Sequence, residues 1–329
     1  MGRVSIKKIL VIVVIVSLIG ITLAGCSKES NSLEKITVVL DWTPNTNHTG
    51  IYVAKALGYF KKNGLNVEII QPSEGTAEQI VASGSADFGI SYQENVTLAR
   101  SEGVPIVSIG AIIQHNTSGF ISKSDENILK ISDFENKKYG GWGSEIESET
   151  IKYLMDMVGA NFNKTEIVTT GDIDFFTGTE TNNIDYAWVF EGWTLQQAKL
   201  EGIEVNYIDI GKIASVFDYY TPVIITNEKH IQKDDITIKF MDAVKQGYIY
   251  SINNPDKAAN LFLKEVPELD KELVIKSQRF LANKYKDDAN YWGEQKFIVW
   301  ERYMNWLVKC GFMDDKINIQ DAFTNKYTK

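Results

Sequence analysis

The sequence predicts an α/β protein of two doubly wound lobes joined by a two-strand hinge, and three observations carry that expectation. Short apolar runs alternate with helix-period segments from Lys35 to Ile113, and a similar series resumes at Lys138. After the strand pattern Thr221 to Thr226 come four long helical segments without strands among them, so they must cover a sheet built earlier. About 295 residues follow residue 34, too many for one comfortable core and suited to two domains.

The first series reads as a strand at Ile36 to Leu40, a helix at Ile51 to Asn63 closed by Gly64, and a strand at Val67 to Ile70. It continues as helix Thr76 to Ser83, strand Asp87 to Ile90, helix Val96 to Glu102 and strand Ile106 to Ile113, which implies a parallel sheet flanked by helices. The second series has strands at Lys138 to Gly141, Glu166 to Thr169 and Tyr186 to Phe190, with helices at Glu145 to Val158 and Leu195 to Leu200. The closing helices span Ile236 to Asn253, Pro255 to Lys264, Lys271 to Tyr285 and Gln295 to Lys309. The economical path crosses near residues 115 to 121, returns near 219 to 226, and packs the closing helices on the first lobe. Lobe 1 is then 35–118 with 222–329, and lobe 2 is 119–221. Such a clamshell presents the carboxyl ends of its strands to the cleft between the lobes.

Arg3, Lys7 and Lys8 precede an apolar run from Ile9 to Leu23, the pattern of an export signal over residues 1–25. The run is about 15 residues, short of the roughly 20 that a spanning helix needs. Leu23-Ala24-Gly25-Cys26 resembles a lipobox, which implies lipidation of Cys26, with 26–34 as a tether to the membrane. Cys310 is then the one remaining cysteine and has no partner for a disulfide. A formal charge of −9 with scattered lysines excludes a nucleic-acid partner.

The densest polar segment is Asp41-Trp42-Thr43-Pro44-Asn45-Thr46-Asn47-His48-Thr49-Gly50, at the carboxyl end of the first strand. Asp41 opens it, Trp42 offers a flat face for a heterocycle, and Asn47, His48 and Thr49 supply donors and acceptors. The same residue types also cap helices, so the segment alone leaves both roles open. With Gly58-Tyr59-Phe60-Lys61-Lys62-Asn63-Gly64-Leu65-Asn66-Val67 it resembles the opening of the NMT1/THI5-like solute-binding proteins, especially those that bind formylaminopyrimidine in thiamine salvage. Further matching stretches are Gly84 to Gly89, Gly140 to Gly143, Glu191-Gly192-Trp193 and Asp218 to Pro222.

The resemblance implies a type II periplasmic-binding-protein clamshell that stacks a thiamine pyrimidine precursor on aromatics such as Trp42, with a carboxylate reading the aminopyrimidine edge. Glu191, after the strand Tyr186 to Phe190, is the candidate carboxylate, and Trp193 belongs to the same motif. Gly140-Gly141-Trp142-Gly143-Ser144 leads from a strand into a helix; Trp142, Gly143 and Ser144 either approach the ligand or cap the helix, with Glu147 completing a capping box. Tyr92 and Gln93, after the third strand, and Asp218, Tyr219 and Tyr220, at the second crossing, are further candidates, and each Tyr is equally open to core packing.

Relatives of this family that synthesise the pyrimidine use a lysine and a histidine where this chain has Ser91 and Asn95, and a cysteine-rich segment where it has Val216 to Tyr220. The three histidines, His48, His115 and His230, lie far apart and show no metal-ligand spacing. The expectation is therefore a monomeric, extracytoplasmic receptor without cofactor, not an enzyme, which hands its ligand to an ABC permease and its ATPase. The alternatives are a same-fold binder of riboflavin, nitrate or sulfonate and, behind it, a pyrimidine synthase-like enzyme. Anion binders want Arg or Lys in the cleft, and the candidate loops contain neither.

Overall fold

A computed structural model describes residues 33–72, 75–171 and 173–329. The signal segment, Cys26 and the tether up to residue 32 lie outside the described residues. Residues Glu34–Lys329 form one compact unit built on two five-stranded sheets.

In the first sheet β1 (Glu34–Val39) pairs parallel with β2 (Leu65–Ile70) and with β3 (Phe88–Ser91). β4 (Ile106–Ala111) lies at the edge, and β10 (Val223–Asn227) inserts between β3 and β4. β10 is antiparallel to both neighbours, which corrects the expectation of a parallel sheet. The reason is the crossing: the parallel strands end at the cleft, so a chain returning across it enters at that edge and runs the other way. The second sheet repeats the device. β6 (Lys138–Gly141), β7 (Glu166–Thr169) and β8 (Tyr186–Phe190) are parallel, while β5 (Ser118–Lys123) is antiparallel to β8 and to the edge strand β9 (Val205–Asp209). β5 and β9 were not foreseen. β5 falls where a bare connection was expected, and β9 is a half-exposed edge strand whose Val-Asn-Tyr-Ile-Asp lacks a continuous apolar run.

The first helix splits into α1 (Thr49–Ala56) and α2 (Tyr59–Lys62), because Gly58 takes φ +72°, a left-handed turn that ends α1. α3 (Ala77–Ser83) starts on a Thr76/Gln79 capping box, and α4 (Gln93–Ser101) follows β3. In the second lobe α5 (Glu145–Met157) follows β6, and α6 (Phe175–Thr181), unforeseen, precedes β8. After β8 the chain makes a π-turn over Glu191–Leu195 before α7 (Gln196–Glu201), then reaches the short α8 (Ile210–Ile213).

Five helices close the chain: α9 (Glu228–Gln232), α10 (Asp234–Asn253), α11 (Pro255–Glu265), α12 (Lys271–Leu281) and α13 (Phe297–Lys309). α10 crosses α1 at glycines: a Cβ on Gly247 would lie 2.0 Å from the Gly50 carbonyl, and one on Gly50 2.3 Å from the Tyr248 ring. α13 departs from the expected packing on lobe 1 alone. Its Trp306 meets Phe217 of the second crossing at 5.1 Å and Tyr153 of α5 at 6.0 Å, so one apolar core runs through the hinge.

Candidate functional site

The loop after β1 is held by its own polar residues. Asn45 opens a 3-10 turn with a capping box: its side chain accepts from the Asn47 amide at 2.9 Å, and its amide donates to His48 Nδ1 at 3.2 Å. With Nδ1 accepting, Nε2 carries the proton and donates to Asp41 Oδ1 at 2.6 Å. The Tyr92 hydroxyl, after β3, donates to Asp41 Oδ2 at 2.6 Å. Burial alone would push the Asp41 carboxyl up, but the His48 imidazole and the Tyr92 hydroxyl outweigh it and hold it below the ordinary carboxylate range. His48 and Thr49 are fully buried. They therefore form the scaffold of the loop, where donors to a ligand had been expected.

What this scaffold presents is Trp42, 47% exposed. Trp42, Asn45, Thr46, Asn47 and Tyr92 line one side of a slot of about 50 Å³. Thr117, Phe190, Gly192 and Trp193 line the other side, and Leu281 of α12 contributes to the wall. The slot thus joins the carboxyl edges of β1, β3 and β8.

Thr117 also borders a larger polar chamber of about 230 Å³ that contains Glu191. Burial pushes the Glu191 carboxyl up, and only the charges of Lys199, Lys212 and Lys284 act against it. Lys212, just after β9, and Lys284, both outside the candidate loops named from the sequence, enter this chamber, each beside a carboxylate: Asp209 at 3.0 Å and Asp287 at 3.1 Å. Asp218 is there too, accepting from His115 Nδ1 at 2.9 Å and the Asn116 amide at 3.1 Å. His115 Nε2 reaches Asp288 at 3.2 Å, and the bond to Asp218 leads the interactions that push the imidazole up to about 9. The two crossings are therefore joined by an ion pair.

Other expected residues are elsewhere. Glu147 accepts from the amides of Trp142 at 3.2 Å, Gly143 at 2.8 Å and Ser144 at 2.8 Å, and from the Tyr139 hydroxyl at 2.6 Å. Ser144 caps Ile146, so the capping alternative holds and these amides are not free for a ligand. Trp142 is 50% exposed beside Trp188, outside both cavities. Gln93, Tyr219 and Tyr220 are buried and join the second crossing to α4 and α13: Gln93 binds the Tyr220 amide and the Val299 carbonyl, Tyr219 donates to Glu94, and the Tyr220 hydroxyl accepts from the Lys296 amide. They are packing residues, the alternative that the sequence left open for the two tyrosines. Thr117, Phe190, His115 and Leu281 were missed. Phe190, the aromatic next to Glu191, was the one with a local signal.

Residues 45–258, well over half of the chain, match the family described as NMT1/THI5 like. The chain is 27% identical over 326 residues to a formylaminopyrimidine-binding protein of Halalkalibacterium halodurans, covering 92% of this chain and 94% of that one. It is 26% identical to a riboflavin-binding protein of Chloroflexus aurantiacus (93% and 89% covered) and 23% identical to a 4-amino-5-hydroxymethyl-2-methylpyrimidine phosphate synthase of Legionella pneumophila (91% and 93% covered). Among solved structures, the periplasmic nitrate-binding protein of Synechocystis PCC 6803 superposes with a TM-score of 0.68 at 12% identity, covering 90% of this chain and 87% of that one. With its two mixed five-stranded sheets and its carboxyl-edge cleft, the chain belongs to the NMT1/THI5-like family and has the type II periplasmic-binding-protein clamshell fold.

Proposed function

We propose that this protein is the extracytoplasmic solute-binding component of an ABC importer and captures a thiamine pyrimidine precursor of the formylaminopyrimidine or hydroxymethylpyrimidine type. The observation that carries this reading is the aromatic slot of Trp42, Phe190 and Trp193 with the carboxylate of Glu191 in the adjoining chamber. A flat ring stacks on Trp42, and a carboxylate accepts from an exocyclic amine and a ring N–H together, a charge-assisted pair. The likeness to the formylaminopyrimidine-binding protein supports the same ligand class. Lys212 and Lys284 do not favour an anion, because each is beside its own carboxylate.

A receptor also fits better than a synthase. Ser91 donates to Glu78 and Asn95 Nδ2 donates to it at 3.4 Å, so neither position offers an amine to a carbonyl cofactor. Export by residues 1–25, lipidation at Cys26, a permease with its ATPase, and a monomeric state complete the proposal. Calorimetric titration with formylaminopyrimidine, hydroxymethylpyrimidine, thiamine, riboflavin, nitrate and taurine tests it. Sub-micromolar binding of one pyrimidine alone is the expected result; binding of an anion, or of none, overturns the ligand.

A further inference from the structure

α12 contributes a residue that none of the loops after the strands contains. Ser277 is fully buried, and its hydroxyl donates to the backbone carbonyl of Gly192 in the π-turn after β8. Its single proton is committed there, so at 2.5 Å it accepts from the hydroxyl of Thr46, in the loop after β1. Thr46 and Gly192 face each other across the slot, one from each lobe. Leu281, one turn beyond Ser277 on the same helix face, also lines it. A Cβ on Gly192 would lie 2.9 Å from Leu281, so the π-turn approaches α12 this closely only as glycine. Tyr285 fixes the other end of the chain of bonds by donating to the Thr46 carbonyl at 2.6 Å.

We propose that Thr46, Ser277 and Gly192 form an interlobe latch that holds the slot at the depth of one flat ring. The inference rests on the slot being the ligand site. The slot itself is only about 50 Å³ and adjoins, at Thr117, the chamber of about 230 Å³, so a fused tricycle seated on Trp42 parts the lobes further than a single ring does and breaks the latch. A bond made only when the lobes meet stabilises the closed state, so its loss speeds release of the bound ligand. The latch therefore sets both residence time and ring size, and it separates a pyrimidine from a flavin within one family.

The test uses the purified protein and its Ser277→Ala, Thr46→Val and Leu281→Ala variants. It measures pyrimidine association and release by stopped flow, riboflavin binding by fluorescence quenching, and the ligand-free radius of gyration by solution scattering. Ser277→Ala should release the pyrimidine about tenfold faster than wild type. Thr46→Val, which keeps the volume and loses the hydroxyl, should move release in the same direction. Leu281→Ala should gain about tenfold in riboflavin affinity. Unchanged release in both hydroxyl variants overturns the latch, and wild-type binding of riboflavin as tight as that of the pyrimidine overturns the depth limit. If the wild type binds no pyrimidine, the ligand reading fails by itself and scattering decides the latch: a ligand-free Ser277→Ala protein larger than wild type sustains it, and an equal radius removes it.

Discussion

Replacing Trp42 by alanine tests the stacking role most directly. The indole is 47% exposed, and the loop beneath it is held by Asn45, His48, Asp41 and Tyr92, none of which bonds to the ring. The substitution should therefore leave the fold intact. A tryptophan carries roughly 200 Å² of surface, so nearly half exposed leaves about 100 Å², of which a ring on one face covers about half. At about 25 cal/mol per Å² the lost burial is about 1.2 kcal/mol. An aromatic pair adds about 0.5–1.5 kcal/mol beyond its area. The sum, about 1.7–2.7 kcal/mol, corresponds to a roughly 15- to 90-fold weaker complex, on the order of the stacking loss seen when an aromatic platform is truncated. Calorimetry with the pyrimidine, alongside thermal denaturation of both proteins, measures it. An affinity within about threefold of wild type, with an unchanged melting curve, would refute the stacking geometry.

Three further predictions concern charge and the loop scaffold. Burial raises the carboxyl of Glu191, so pyrimidine affinity should fall as pH is lowered through its titration, because the acid form accepts one bond fewer; Glu191→Gln should weaken binding at least about tenfold and abolish that pH dependence, as read by titrations from pH 4 to 8. His115 is raised to about 9 from an ordinary 6.5, so its pairing stabilises the fold fully below about pH 6.5 and is lost as pH rises through 9. Its side chain is 41% exposed, so solvent screening keeps this below about 1 kcal/mol. Denaturant unfolding of His115→Gln and wild type should therefore differ at pH 6 and converge by pH 10; an equal difference at both would exclude the ion pair. Tyr92→Phe removes a donor from a buried carboxylate and should cost about 1.5–3 kcal/mol in unfolding free energy and weaken ligand binding through the loop that carries Trp42. Unchanged stability would mean that Asp41 finds another donor.

The comparison of sequence with structure divides by the range of the interactions. The strands of the first sheet were readable because a strand buried on both faces is a largely apolar run, as in β3 and β4, whose residues are all buried. Helix starts were readable for a similar reason, since Thr76, Ser144 and Asp270 cap the turns they open. The split at Gly58 was missed because the apolar period runs on through a glycine that turns the backbone left-handed. The strand direction of β5 and β10 was not readable, because a strand's own residues do not record from which edge of the sheet it enters.

The candidate site divides the same way. Asp41, Trp42, Asn47, Tyr92 and Trp193, adjacent to strand ends, do converge on the slot, and Glu191 and Asp218 meet in the adjoining chamber. His48 is as polar and as close to the strand end, yet its ring faces inward to Asp41, and Gly143 and Ser144 give their amides to Glu147. Sequence alone determined the alternation of strands and helices, the aromatic and acidic character of the loops at the strand ends, and the two-lobed fold, because each is written in local periodicity and local hydrogen bonding. Only the tertiary structure decided which polar side chains satisfy one another and which face the cavity, and it alone placed Ser277 and Leu281 of α12 against Gly192. Those contacts join residues more than 80 positions apart, and the packing of helix on sheet, not any local pattern, sets their distance.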